Sequence, residues 1–131
     1  MKLVFDTSIL VGIDRNNASV IEALKELVVG NNVIYTTTLN FSEFYYGYLN
    51  KPANFKERAL KFLNKYKLLT FTKESAKIHA ELSYKQDKQG NKVGEFDLLT
   101  AAIAIEKNAV LVTTDKDFEK ITELKKKVIT V

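Results

Sequence analysis

Four carboxylates stand where an α/β chain can do chemistry with them. Asp6 follows the apolar run Leu3-Val4-Phe5, and Asp115 follows Val110-Leu111-Val112-Thr113-Thr114. Both acids are therefore expected at the carboxyl ends of buried strands, the edge of an open parallel sheet where ligands bind. Glu43 and Asp97 are expected in the first turns of helices, Glu43 after an N-cap at Asn40 or Thr38 and Asp97 at the head of the most apolar helix in the chain. Each acid also has a plain structural reading. Asp6 and Asp115 can serve as N-caps, Glu43 as the third residue of a capping box, and Asp97 as a charge favoured by the helix dipole.

As a set the four mean more than they do singly, because strand ends and helix starts are the places where this kind of fold makes side chains converge. Four carboxylates in one cleft repel one another and raise one another's pKa unless cations neutralise them. With no His or Cys among the donors, the oxygen set of Asp6, Glu43, Asp97 and Asp115 suits Mg²⁺ or Mn²⁺. Such an ion lowers the pKa of a bound water and stabilises the displaced oxygens of a phosphodiester. Thr7, Ser8, Ser42 and Thr113 add hydroxyls beside the acids that can orient carboxylates or metal-bound water.

The elements that must position these residues alternate along the chain. A short helical turn is predicted from Thr7 to about Ile13, and a helix from a Ser19 cap to Val29, stopped by Gly30-Asn31-Asn32. Val33 to Thr36 reads as a second strand, followed by a helix with the stripe Phe41, Phe44, Tyr45, Tyr48 and Leu49 that ends at Asn50-Lys51-Pro52. Phe55, Ala59, Phe62, Leu63 and Tyr66 mark another amphipathic helix. Leu68 to Phe71 is read as the third strand, Thr72 as the cap of a helix from Lys73 to Lys88, and residues 89–94 as a loop. Phe96 to Lys107 is apolar nearly all round, Val110 to Thr113 is a strand, Asp115 to Lys120 a short helix and Val128 to Thr130 a fifth strand. Alternation of this kind implies a three-layer α/β/α sandwich on a mostly parallel five-stranded sheet, since parallel strands need crossover helices.

At 131 residues the chain is expected to be one domain, 1–131. Hydrophobic residues at 46% and charged residues at 27% are ordinary for a globular protein, and the absence of cysteine removes disulfides and thiolate metal sites. No apolar stretch reaches the roughly 20 residues of a membrane span, and the N-terminus enters a strand without a signal pattern, so a cytoplasmic location without membrane contact is expected. The net charge of +4 comes from 20 Lys+Arg against 16 Asp+Glu. Lysines recur at 51, 56, 61, 65 and 67, at 85, 88 and 92, and as the run 125–127; charge alone reads as solvated faces, whereas an acidic centre with a basic surround points to a phosphate polymer.

The segments Val4-Phe5-Asp6-Thr7-Ser8-Ile9-Leu10, Ser42-Glu43, Asp97-Leu98-Leu99-Thr100-Ala101-Ala102-Ile103-Ala104 and Leu111-Val112-Thr113-Thr114-Asp115-Lys116-Asp117-Phe118 together resemble the four acidic motifs of PIN-domain nucleases. The resemblance covers essentially the whole chain, and the size is similar to that of VapC-type toxins of prokaryotic toxin–antitoxin pairs. It implies a sheet in the order 3-2-1-4-5 with Asp6 and Asp115 across the switch point. It further implies a Mg²⁺- or Mn²⁺-dependent endoribonuclease using Asp6, Glu43, Asp97 and Asp115, a VapB-type antitoxin and a homodimer. Asp117 shares or replaces the role of Asp115 in that comparison. An RNA-processing PIN nuclease that is not a toxin is the alternative within the family. A receiver or phosphatase domain fits less well, because Leu68-Leu69-Thr70-Phe71 holds no Asp and Ser8 stands where a second Asp belongs. A non-catalytic RNA-binding domain does not account for four retained acids. His79, the aromatic stripe, Asp14 and Asp87 are read as structural or surface residues, and Gly47 as a place where backbone or substrate comes close.

Overall fold

The run Leu3-Val4-Phe5 lies at the middle of the molecule. In the computed structural model, which describes residues 1–131, these three residues are 1%, 0% and 2% exposed. They belong to β1 (Lys2–Phe5), which pairs in parallel with β2 (Val33–Thr37) on one side and β4 (Val110–Thr113) on the other, Val4 lying opposite Tyr35 and Leu111. β3 (Lys67–Leu69) and β5 (Lys126–Val128) complete an all-parallel sheet of order β3-β2-β1-β4-β5. Such a strand shows no polar–apolar alternation because helices cover both of its faces.

The two cores follow from that placement. Leu3 and Phe5 point into a cluster with residues of α1 (Thr7–Asp14), α2 (Ala18–Leu27), α3 (Thr38–Tyr46) and α4 (Ala53–Leu63), among them Ile9, Val20, Phe44 and Leu63. Val4 and Leu111 point the other way, against α6 (Glu95–Glu106), with Leu82 of α5 (Lys73–Gln89) in the same cluster. This is the expected three-layer sandwich. α6 is apolar all round because it is wedged between the sheet and α5, with Ala101, Ala102, Ile103 and Ala104 fully buried. Burying each large apolar side chain contributes roughly 1.5–3 kcal/mol, so the three apolar residues of the central strand stabilise the fold substantially.

Several boundaries differ from the sequence expectation, among them the end of α3, which stops at Tyr46 with Gly47 as its C-cap, leaving Tyr48 and Leu49 beyond the helix. α2 is capped by Asn17, whose side chain accepts from the Val20 N–H, and Ser19 is simply an exposed residue of its first turn. β3 begins at Lys67, opposite Tyr35, and Thr70-Phe71 lead away from it to Thr72, the cap of α5. β5 is Lys126–Val128 rather than 128–130: it pairs Lys126 with Leu111 and Val128 with Thr113, and the lysine run that masks it in the sequence belongs to an edge strand. Finally, β2 runs to Thr37, and Thr37, not Asn40 or Thr38, caps α3. Glu43 is thereby moved out of the first turn, which removes its capping-box reading.

Candidate active site

Asp6 closes β1, its N–H donating to the Val112 carbonyl of β4 at 3.2 Å. Its carboxylate is 6% exposed and surrounded by donors. Oδ1 accepts from the Ser8 hydroxyl at 2.6 Å and the Ile9 N–H at 3.3 Å, and Oδ2 from the Thr113 hydroxyl at 2.6 Å. Capping α1 and belonging to the site are thus one arrangement. The same hydroxyls accept in turn: Ser8 Oγ from the Thr114 N–H at 2.9 Å and Thr113 Oγ1 from the Asp115 N–H at 3.0 Å. Two strand ends and the backbone leading to Asp115 are therefore locked to one carboxylate. Burial pushes the Asp6 pKa up, while the Ser8 and Thr113 hydroxyls and the Ile9 N–H pull it back.

A second polar lock sets α3. Thr36, fully buried, donates its hydroxyl to the Phe5 carbonyl at 2.7 Å. Thr37 accepts from the Asn40 N–H at 3.0 Å and donates to Asn40 Oδ1 at 2.7 Å, leaving Asn40 Nδ2 to reach Thr7 Oγ1 at 3.0 Å. Asn40, 1% exposed, thus ties the start of α3 to the start of α1. Its position one turn before Glu43 sets where that exposed acid lies, in a cleft it shares with Thr7. In the sequence Asn40 reads only as a cap. The signal was present in Thr36-Thr37-Thr38-Leu39-Asn40, a polar run at the end of a buried strand whose side chains must find partners inside the protein.

Asp97 sits in the first turn of α6, half-buried, with Gly94 as the N-cap and no side-chain capping hydrogen bond. Its pKa is pushed up to about 6, first by burial and then by Asp115, Asp6, Asp117 and Glu43 in that order. Four acids therefore bear on Asp97 at the C-terminal edge of β1 and β4. No lysine or arginine forms an ion pair with Asp6, Glu43, Asp97 or Asp115, whereas Asp117 is exposed and pairs with Lys120 at 3.3 Å. Asp115 caps the 3-10 turn Lys116–Lys120 by accepting from the Asp117 N–H at 2.9 Å and weighs more heavily on Asp97 than Asp117 does. Ser42 is exposed and outside the hydroxyl network.

The donor set fits a hard divalent cation. It is all oxygen, it concentrates negative charge with no basic partner, and burial together with these like charges raises the Asp97 pKa. No three carboxylates are disposed to grip one ion by themselves, so water and substrate oxygens would have to complete the coordination of any ion held there.

Other residues singled out from the sequence are placed as follows. His79 is half-buried and its Nε2 lies 2.5 Å from Glu95 Oε1. Phe44 is core, 4% exposed and stacked with Tyr48 and Phe62 at centroid distances of 5.4 and 5.3 Å, whereas Tyr46 is exposed. Asp14 is not a free surface acid; it accepts a short hydrogen bond from the Tyr48 hydroxyl. Gly47 is the C-cap of α3 and lines the cleft beyond Glu43.

Comparison with known proteins gives a concordant result. The PIN domain family profile matches residues 3–124. Ribonuclease VapC2 of Rickettsia felis is 31% identical over 76% of this chain and 76% of its own. Ribonuclease VapC1 of Haemophilus influenzae is 26% identical over 95% of each chain. Among solved structures, that of VapBC2 from Rickettsia felis bound to a DNA fragment from its promoter contains a chain that superposes with a TM-score of 0.86 at 28% identity, covering 99% of this chain and 100% of that one.

Proposed function

The chain belongs to the PIN domain family, and from that premise we propose that it is a metal-dependent endoribonuclease, the toxin of a VapBC-type toxin–antitoxin pair. The observation that carries the reading is the gathering of Asp6, Glu43, Asp97 and Asp115 around one edge of the sheet without a basic partner, Asp97 feeling the other three as well as Asp117. Mg²⁺ or Mn²⁺ is the ion the set accommodates; Asp6, Glu43, Asp97 and Asp115 would hold it, and when bound it supplies an activated water and offsets charge on the attacked phosphate. The protein's own groups do the rest. Ser8 and Thr113 fix the Asp6 carboxylate in one rotamer, and Asn40 with Thr7 fixes the approach of α3 and hence Glu43.

RNA is the proposed substrate, a VapB-type antitoxin the proposed inhibitor, and a homodimer the proposed assembly. No helix is long and apolar enough to cross a membrane, and the cytoplasm is the proposed site of action. The test is incubation of the purified protein with total RNA, with and without Mg²⁺ or Mn²⁺, beside Asp6→Asn and Asp97→Asn. Cleavage should require the ion and fall at least about a hundredfold in either variant. Undiminished cutting by both variants would refute the assignment.

A further inference from the structure

The cleft lined by Thr7 and Glu43, the one member of the acidic cluster within it, runs on beyond that acid. It extends, with a volume of about 610 Å³, along the surface between the end of α1 and the start of α4, and its far end changes sign. Arg15 caps the C-terminus of α1, Lys51 precedes α4, and Arg58 lies one turn into α4 from Phe55. All three cations are exposed and none is in an ion pair. The one other acid lining this part of the cleft, Asp14, is already engaged by the Tyr48 hydroxyl.

Aromatic surface accompanies the charge. Phe55 is 36% exposed and carries the Arg58 guanidinium 4.9 Å above its ring centroid. Tyr48 stands on the facing wall, its hydroxyl pKa raised chiefly by the bond to Asp14, with the neighbouring Arg58 pulling the other way. Unpaired cations beside an exposed ring are the chemistry by which proteins hold single-stranded nucleic acid: phosphates on the guanidinium and ammonium groups, a base against the aromatic ring.

We infer that Arg15, Lys51, Arg58 and Phe55 form a subsite for a nucleotide flanking the bond to be cut, so that a single RNA strand is held at the basic end of the cleft while its scissile phosphate rests among the acids. The assignment builds on the nuclease reading but concerns substrate positioning rather than catalysis. Charge complementarity selects the occupant. A polyanion relieves the unpaired cations at one end and brings phosphate oxygens to the other, where an ion can share them. A duplex is excluded from such a subsite, because its bases are stacked inward and cannot reach the Phe55 ring.

The test uses a short fluorescein-labelled single-stranded RNA of mixed sequence, read by anisotropy in EDTA and by initial cleavage rates in Mg²⁺, on the full chain and on Arg58→Ala, Lys51→Ala and Phe55→Ala. Lys125→Ala is the control, because Lys125 bonds to Asn108 where β4 begins, at the opposite end of the sheet. Arg58→Ala should raise KM and Kd about tenfold with kcat retained, and reduce the slope of log Kd against log salt by about 0.7. Phe55→Ala should weaken binding by a similar factor with the salt slope unchanged. Wild-type Kd and KM in both Arg58→Ala and Lys51→Ala would overturn the subsite while leaving the nuclease reading intact. Binding that depends on Arg58 with no cutting by the wild type would do the reverse. If Arg58→Glu loses capture of a co-expressed antitoxin while its KM for RNA is unchanged, the cleft is a protein groove and the RNA assignment falls.

Discussion

Asp6 and Asp97 are the same residue type at the same edge of the same sheet, and the fold treats them in opposite ways. Asp6 is saturated: two hydroxyls and a backbone N–H converge on it, and those hydroxyls are themselves donated to by the backbone around Asp115. Asp97 has an open glycine cap, no side-chain donor, and four carboxylates acting on it. A carboxylate held by donors has part of its burial cost offset whether or not anything binds. A carboxylate held among like charges weakens the unliganded fold, and the weakness is relieved only by a cation or a proton.

The sharpest way to break this contrast is to remove each acid and measure stability and cleavage together. Both Asp6→Ala and Asp97→Asn should abolish cleavage, yet their stabilities should move apart. Asp6→Ala leaves the Ser8 and Thr113 hydroxyls facing an empty space and should lower unfolding free energy by about 2–3 kcal/mol in urea. Asp97→Asn should raise it in EDTA by about 1 kcal/mol, after allowance for solvent screening of a half-exposed group. Saturating Mg²⁺ should stabilise the wild type by about 2–3 kcal/mol at a hundred times its Kd and Asp97→Asn by much less. Destabilisation of both variants by the same amount would erase the distinction.

The pH dependence gives the next largest effect. The Asp97 pKa is raised from the usual 3.8 to about 6 in the fold, so between those values the folded chain keeps a proton that the unfolded chain has released. Stability contributed by that proton is present below about pH 4 and is lost as pH rises through about 6. Asp6, also raised, acts in the same direction. In EDTA the urea midpoint of the wild type should therefore fall between pH 4 and 7, with a shallower fall in Asp97→Asn; an unchanged slope would show that Asp97 titrates normally. The smallest effect is expected of Ser42→Ala, within about 0.5 kcal/mol in stability and without change in cleavage, since Ser42 is exposed and outside the network that orders the site. A tenfold loss of activity would place Ser42 with Ser8 and Thr113 after all.

The same comparison explains what the sequence could disclose. Leu3-Val4-Phe5-Asp6 and Val110 to Thr113 were legible because a doubly covered parallel strand is written as an unbroken apolar run, and an acid at its end stands out. The α3 start was not. Thr36, Thr37, Thr38 and Asn40 offer several equivalent caps, and the choice is made by a tertiary contact, the Thr36 hydroxyl on the Phe5 carbonyl, together with the reach of Asn40 to Thr7. β5 was misplaced for the opposite reason: Lys126 and Lys127 read as a solvated tail, and only the ladder to Leu111 and Val112 makes them a strand. The basic end of the cleft was missed because Arg15, Lys51 and Arg58 are 43 positions apart at their extremes, 58 less 15, and no local pattern joins them.

The two outermost strands are only three residues each, β3 with exposed Lys67 and Leu68, β5 with Lys126 and Lys127. Few free backbone donors and acceptors are left along either margin, and half of the strand positions there carry charge, three lysines out of six residues. Another chain seeking to lengthen the sheet by strand addition finds almost no template, so ordered aggregation has little foothold on the folded protein even when no other molecule shields it.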